Sequence, residues 1–302
     1  MIVGAGLAGL ICAHSMPRET VVEIQPEPDE VHKALLRFRS TAVADLTGIE
    51  FRAVEVRKGI WEGDGWQQPN IRAANLYSVK CLDRMIDRSI WNLDPVVRYI
   101  APPNFYERLI ESVGSRIKWG MDWRVAQAEG DVHAPIISTA PLDAMLGTFD
   151  IKTGEKFERA VITVKRYRVY KSDVHQTVYF PSTAHSLYRA SITGDLMICE
   201  FSGEPDGPWW TELRDAFGVC PMDLKEVETT KQSYGKIAPI DNGKRCAAIA
   251  RLSQDFNIFS VGRFATWRNI LLDDVVKDAA IVKRLIRASA YDRKLKAAGE
   301  PR

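Results

Sequence analysis

Short apolar runs broken by glycine open the chain, and long alternating stretches fill its middle. Met1 to Val3 reads as a strand, Leu10 to Met16 is apolar enough for a buried helix, and Thr20 to Ile24 is a β-branched run that reads as a second strand. Residues 76–93 (LYSVKCLDRMIDRSIWNL) and 102–114 (PPNFYERLIESVG) read as helices, the second starting at Pro102-Pro103, where a missing N–H does no harm. From about residue 157 to 202, alternation rich in β-branched and aromatic residues predicts an antiparallel sheet. Ile258 to Val261 is a further apolar strand. Asp273 and Asp274 then start a helix reaching about Ala288, with Val275, Val276, Ala279, Ala280 and Val282 in helical period.

Between the first strand and the first helix stands Gly4-Ala5-Gly6-Leu7-Ala8-Gly9, a G-x-G-x-x-G run. In such a run the first glycine permits a tight turn, the second lets backbone N–H groups approach a pyrophosphate, and the third lets helix and strand pack closely. Glu23 closes the second strand about 20 residues after the first glycine, where a carboxylate accepts hydrogen bonds from a ribose. Turn, helix, strand and acid in this order predict an α/β chain (α+β overall) with a Rossmann-type dinucleotide-binding domain. Gly4, Ala5, Gly6, Leu7, Ala8, Gly9 and Glu23 are its cofactor-binding candidates. This opening leaves NAD and FAD both open.

Two later segments resemble the two-domain flavoproteins of the amine oxidase and UDP-galactopyranose mutase group. Ile136-Ile137-Ser138 running into Thr139-Ala140-Pro141 resembles the strand and Thr-x-Pro of that group. Gly262-Arg263 after the last strand, Trp267 in a tyrosine's place, Arg268, and Asp273 in place of a second acid resemble the mutases' closing segment. The resemblance implies FAD as the cofactor, held also by Thr139, Ala140, Pro141, Gly262 and the helix start at Leu272, Asp273 and Asp274. It implies Arg263 beside cofactor and substrate phosphates, and makes Arg263 and Trp267 catalytic candidates. Lys236 joins them, because some amine oxidases use a lysine to position water at the flavin. The group's glycine pair after the second strand is missing. Here the chain reads EPDEVHKALLRFRST, in which Arg37, Arg39 and Ser40 would turn donors toward phosphate; a basic surface strand is the other reading, and His32 reads as a loop histidine.

The resemblance makes the alternating middle the floor of a substrate cavity and interleaves two domains. Residues 1–75, 116–150 and 236–302 form the FAD-binding domain; 76–115 and 151–235 form the substrate domain. PWWTELRDAFG and PMDLKEVETTKQSYGKIAPI are expected to return the chain to the cofactor domain, with Trp209-Trp210 filling the seam. Lys165, Arg166, Tyr167 and Arg168 form a basic, aromatic strand suited to a nucleotide diphosphate or a nucleic-acid backbone, or else an edge strand guarded by charge.

Bulk composition adds limits. Of 302 residues, 46% are apolar and 26% charged, an ordinary globular balance, and a net charge of +2 is too small to imply a nucleic-acid partner. Five cysteines without a C-x-x-C pair suggest neither a disulfide framework nor a metal site, so a cytoplasmic setting is expected. No apolar run approaches the ~18 residues of a spanning helix, so no membrane role is expected. The leading functional expectation is an FAD-dependent oxidoreductase taking a hydride from a C–N bond of a small amine. Two alternatives stand beside it: a mutase-like, non-redox flavoenzyme acting on a nucleotide-linked substrate, and flavin-dependent modification of a DNA base, as in phage pathways that elaborate thymidine. Oligomeric state is left open.

Overall fold

A computed structural model describes residues 1–28, 36–63, 65–85 and 90–299; His32 lies outside them. In chain order the elements are β1 (Ile2–Val3), α1 (Leu7–Ser15), β2 (Val21–Glu23), β3 (Arg37–Phe38), α2 (Ala42–Thr47), β4 (Arg52–Glu62), β5 (Gly65–Gln67) and α3 (Ile71–Leu82). Next come β6 (Val96–Ile100), α4 (Phe105–Val113), β7 (Ile117–Trp119), α5 (Trp123–Glu129), β8 (Ile136–Ser138), α6 (Leu142–Thr148), β9 (Arg159–Arg168) and β10 (His175–Tyr179). The chain closes with β11 (Leu187–Thr193), β12 (Leu196–Ser202), α7 (Trp209–Phe217), β13 (Lys225–Ile237), α8 (Asn242–Phe256), β14 (Ile258–Ser260) and α9 (Leu272–Gly299). It divides into two units, one of Met1–Arg52, Tyr99–Lys156 and Ile240–Arg302, the other of Ala53–Arg98 and Phe157–Pro239.

The first unit is built on a parallel sheet in the order β14-β8-β1-β2-β7. Its strands are only two or three residues long, and Ile2, Val21, Ile136, Ile137 and Ile258 are buried. Parallel strands covered on both faces read as apolar runs, which is why β1, β2, β8 and β14 were visible in the sequence, whereas β7, with Lys118 between Ile117 and Trp119, was not. Helix α1 packs against α2, α4 and α9, and Leu10, Ile11, Phe105, Leu109, Val275 and Ala279 share one core. A ring cluster of Phe38, Phe51 and Phe105 sits beside it, with centroids 4.7 to 6.0 Å apart. Helix α9 runs past Ala288 because no glycine or proline interrupts it before Gly299.

The second unit carries a mostly antiparallel sheet in the order β13-β9-β12-β11-β10-β4, with β5 hairpinned onto β4 and a parallel pairing of β10 with β4. Alternation sets its two faces. Tyr167, Val178, Leu187, Met197, Cys199 and Phe201 bury against Trp209, Leu213 and Ala216 of α7. The opposite face sets polar and charged residues among buried apolar ones such as Val164 and Ile198. Register places Arg166, Ile198, Ser191 and Thr177 in one row across four strands, and Val164, Glu200, Arg189 and Tyr179 in the next. Helix α3 is tied to this sheet by Lys80, whose ammonium donates to the carbonyls of Phe180 at 3.0 Å, Leu187 at 2.5 Å, and Ser182.

The division differs from the sequence-based one at residues 53–75, 99–115, 151–156 and 236–239. Residues 53–75 belong to the second unit, because the alternating run of β4 pairs with β10. Residues 99–115 belong to the first, because Phe105, Leu109 and Val113 of α4 enter its core. Helix α7 and strand β13 stay in the second unit, since α7 covers the apolar face and β13 pairs along β9. Trp209 and Trp210, stacked at 4.3 Å, lie at that face, with Trp209 5.0 Å from Phe201, and so fill this unit's own core.

Candidate functional site

Three segments far apart in sequence meet at the carboxyl ends of β1, β8 and β14. Gly4 turns with φ +99°, which only glycine adopts easily, and donates to the Val22 carbonyl at 2.9 Å. A Cβ on Gly4 would lie 2.5 Å from Thr139 Oγ1, and one on Gly9 would lie 1.8 Å from the Gly4 oxygen. Gly6, by contrast, has nothing within 4 Å of its Cβ position and stands at the start of α1. The first and third glycines thus serve close packing, while the second opens onto free space at a helix N-terminus, the place where a pyrophosphate meets N–H groups and the positive helix end. Leu7 and Ala5 are buried behind this turn, and Tyr106 of α4 donates its hydroxyl to the Ala5 carbonyl at 3.1 Å.

Thr139 locks the second segment to the first: its N–H and its Oγ1 both donate to the Val3 carbonyl, at 3.0 and 2.8 Å. Pro141 caps α6, and the Leu142 N–H donates to the Phe264 carbonyl at 3.0 Å. Gly262, at φ +93°, brings the third segment in; a Cβ there would meet Ala8 Cβ at 3.0 Å. The Val261 N–H donates to Ser138, and Thr266 Oγ1 closes a turn on the Gly262 carbonyl at 2.7 Å. Arg263 lies with its guanidinium 5.5 Å from the Phe264 ring, its Nε buried. Trp267 is buried in a left-handed conformation, φ +45°, that a bulky residue adopts only where surrounding packing enforces it. Arg268 is ion-paired with Asp278.

Glu23 closes β2, but its carboxylate is already engaged. It accepts the Ala5 N–H at 2.8 Å and the Gln25 N–H at 3.1 Å. The acid therefore also steadies the glycine turn itself.

Two residues of the basic segment after β2, Arg39 and Ser40, are bonded to the start of α9. Arg37 sits in β3, paired with β6. Arg39 is ion-paired with Asp274 at 2.5 Å, and Asp273 accepts the Arg39 N–H, the Ser40 N–H and the Ser40 hydroxyl at 3.1, 2.9 and 2.8 Å. Ser40 is thus bonded to Asp273 and the Arg39 side chain to Asp274, two carboxylates in the first turn of α9. Leu272 opens α9 beside them.

In the second unit the basic strand is charge-matched. Lys165 faces Glu226 at 3.3 Å, Arg166 faces Glu228 at 3.5 Å, and Arg168 faces Asp195 at 2.6 Å. Tyr167 is buried beside Trp210, and burial pushes its hydroxyl's pKa well up. Alternation also puts Lys165 and Arg166 on opposite faces, so the run is not one basic surface. Lys236 lies on β13, its ammonium 4.7 Å above the Tyr188 ring.

Around Lys236 the structure assembles residues that no sequence motif marked. Tyr188 donates its hydroxyl to Glu200 Oε1 at 2.9 Å, and Arg189 grips the same carboxylate through Nε and Nη2, the latter at 2.6 Å. Burial pushes the Glu200 carboxyl up, but Arg189, Lys236 and the Tyr188 hydroxyl outweigh it and hold it at about 2 instead of 4.5. Only the register of β11 and β12 brings these groups together; in sequence, Arg189 and Glu200 are isolated charges in strands.

No protein-family model matches the chain, and no curated protein matches it. Solved structures do. The chain is similar to reduced UDP-galactopyranose mutase with a TM-score of 0.64 at 14% identity, over 95% of this chain and 93% of that one. It is similar to the flavin-dependent brominase Bmp2 with a TM-score of 0.51 at 12% identity, over 95% and 78%. Aklavinone-11 hydroxylase, solved with FAD and aklavinone, matches with a TM-score of 0.51 at 11% identity, over 94% and 61%. At such identities the likeness is one of fold: a Rossmann-type parallel sheet with a second, mixed sheet, as in these flavoenzymes. Among the described residues no helix is long and apolar enough to cross a membrane.

Proposed function

We propose that the chain is an FAD-dependent oxidoreductase that takes a hydride from a C–N bond. The observation that carries the reading is the convergence of the glycine turn, Thr139-Ala140-Pro141 and Gly262-Arg263 at one end of the parallel sheet, with Gly6 alone left open. The residues present fit the diphosphate and ribose of FAD. Gly6 and the N-terminus of α1 would receive the pyrophosphate, and Glu23 the ribose hydroxyls, exchanging its bond to the Ala5 N–H for them. Arg263 would add a cation near the phosphates, and Trp267, fixed by its strained backbone, a rigid wall. The flavin, when bound, supplies a two-electron acceptor. On the substrate, carbon gives a hydride and nitrogen a proton, leaving an imine that water hydrolyses.

The hydride-transfer part of the reading rests on the resemblance of the three segments to the amine oxidase group. Purified protein is expected to carry a yellow chromophore, or to acquire one with FAD, and an amine is expected to bleach it anaerobically. Colourless protein that takes up no FAD would falsify the proposal. A mutase-like reading is favoured by one observation, the match to UDP-galactopyranose mutase over 93% of its length. Isomerisation of a nucleotide sugar by dithionite-reduced protein, without net oxidation, would select it. The ion pairing of Lys165, Arg166 and Arg168 weighs against a DNA-directed reading, since each of these three charges already faces a carboxylate.

A further inference from the structure

Between Gly262 and Arg268 the chain folds back on one buried side chain, Thr266. The Gly262 carbonyl accepts the Thr266 N–H at 3.0 Å and the Thr266 hydroxyl at 2.7 Å, a donor for each of its two lone pairs. A carbonyl held in this way fixes the planar peptide it belongs to, and with it the direction in which the chain enters Arg263. The Arg263 carbonyl in turn accepts the Arg268 N–H at 3.0 Å. Trp267, next to Thr266, is buried at φ +45°, a conformation whose cost the surrounding contacts must offset.

Two arginines hold Thr266 itself. Arg268 donates Nε to Thr266 Oγ1 at 3.0 Å, and its Nη2 is paired with Asp278 of α9. Arg245 of α8 donates Nη1 to the Thr266 carbonyl at 3.0 Å and Nη2 to Asn242 Oδ1 at 2.5 Å. The hydroxyl therefore both donates and accepts, two roles that an apolar side chain of the same shape cannot fill. Through Thr266, α8 and α9 are tied to the glycine that packs against Ala8 of α1, where a Cβ would lie 3.0 Å away. All of these residues belong to the first unit.

We infer that Thr266 is a positioning residue of the candidate cofactor site: held by Arg245 and Arg268, it sets Gly262, Arg263 and Trp267 in place. Given the proposed binding of FAD, on which this assignment rests, the Thr266 hydroxyl governs affinity for FAD and not only the stability of the fold. That the hydroxyl holds the turn requires no cofactor, and can be read without one.

The test measures FAD affinity of the full chain by flavin fluorescence, and amide hydrogen exchange over residues 262–268 in the absence of FAD. Thr266→Val keeps the shape and removes the hydroxyl. It is expected to weaken FAD at least about tenfold and to speed exchange in the turn by a similar factor, the loss of two hydrogen bonds. Thr266→Ser restores the hydroxyl and is expected to bring both within about threefold of wild type. Arg268→Lys keeps a cation for Asp278 while removing the Nε contact from a partly exposed side chain, and is expected to weaken FAD in the same direction; melting curves establish that each variant is folded. Unchanged FAD affinity in a folded Thr266→Val, or in Arg268→Lys where the valine variant does not fold, overturns the inference. So does a serine variant no better than valine, because shape alone would then account for Thr266. Wild-type protein that takes up no FAD refutes the proposed function, and exchange then decides the rest: a turn no faster in Thr266→Val overturns the inference too, whereas a faster one leaves the turn-holding role standing.

Discussion

The two sheets of this protein hold their chemistry in different places. In the parallel sheet the strands are short, apolar and inert, and the polar work is done by backbone at their carboxyl ends: Gly4, Gly6, Gly262 and the Thr139 bridge. In the mixed sheet the chemistry lies within the strands, as side chains of Arg189, Glu200 and Lys236 aligned across neighbours. A parallel sheet buried on both faces has only its ends to offer a ligand, whereas an antiparallel one can leave a face polar. The first design depends on where Cβ atoms are absent. The second depends on register.

That contrast is broken most strongly at Glu200. Glu200→Gln leaves the Arg189 guanidinium without its counter-charge, and a loss of about 3 kcal/mol is expected in urea denaturation at pH 7. Because the folded carboxyl is held at about 2 against an ordinary 4.5, its contribution is complete above about 4.5 and is lost as pH falls toward 2. The gap between wild type and Glu200→Gln should therefore close in acid; a gap independent of pH between 2 and 6 would show that charge is not the cause.

The next test separates glycines that pack from the one proposed to face the cofactor. Gly9→Ala drives a methyl into the Gly4 carbonyl and should lower stability by about 3 kcal/mol, read as a drop in melting temperature. Gly6→Ala, with open space around it, should melt within about 0.5 kcal/mol of wild type yet retain less FAD through gel filtration. Equal melting losses for the two would remove the distinction.

Smaller effects sharpen the picture further. Asp273→Ala removes three hydrogen bonds to Arg39 and Ser40, and a loss of about 1–3 kcal/mol is expected, with faster proteolysis near residue 40. Arg168→Ala touches only an exposed ion pair with Asp195 and should change stability by less than about 0.5 kcal/mol. Retention on a DNA column that falls sharply in this variant would restore the basic strand as a polymer site.

The first sheet was largely legible before the fold was known. Gly4, Gly6 and Gly9 could be read because each reflects a local demand on the backbone, Thr139 and Gly262 through the resemblance of their segments to known flavoproteins, and Val275, Ala279 and Val282 because helical period is local too. Long-range partners were not legible. Arg39 and Ser40 were read as phosphate donors, yet they bond Asp274 and Asp273, over 230 residues away, and no local pattern announces such a partner. The alternating run of β4 carried a strand signal, but its partner β10 lies more than 100 residues further on.

What the sequence determined alone is therefore the Rossmann-type turn, the order of its strands' signals and the antiparallel character of the middle. What only the tertiary structure decided is which charges meet. A strand's side chains repeat every two residues, so a one-residue shift exchanges its faces, and the shifts at Leu187/Arg189 and Gln232/Lys236 are set by pairing with other strands. Arg189, Glu200 and Lys236 become one cluster only after those pairings form.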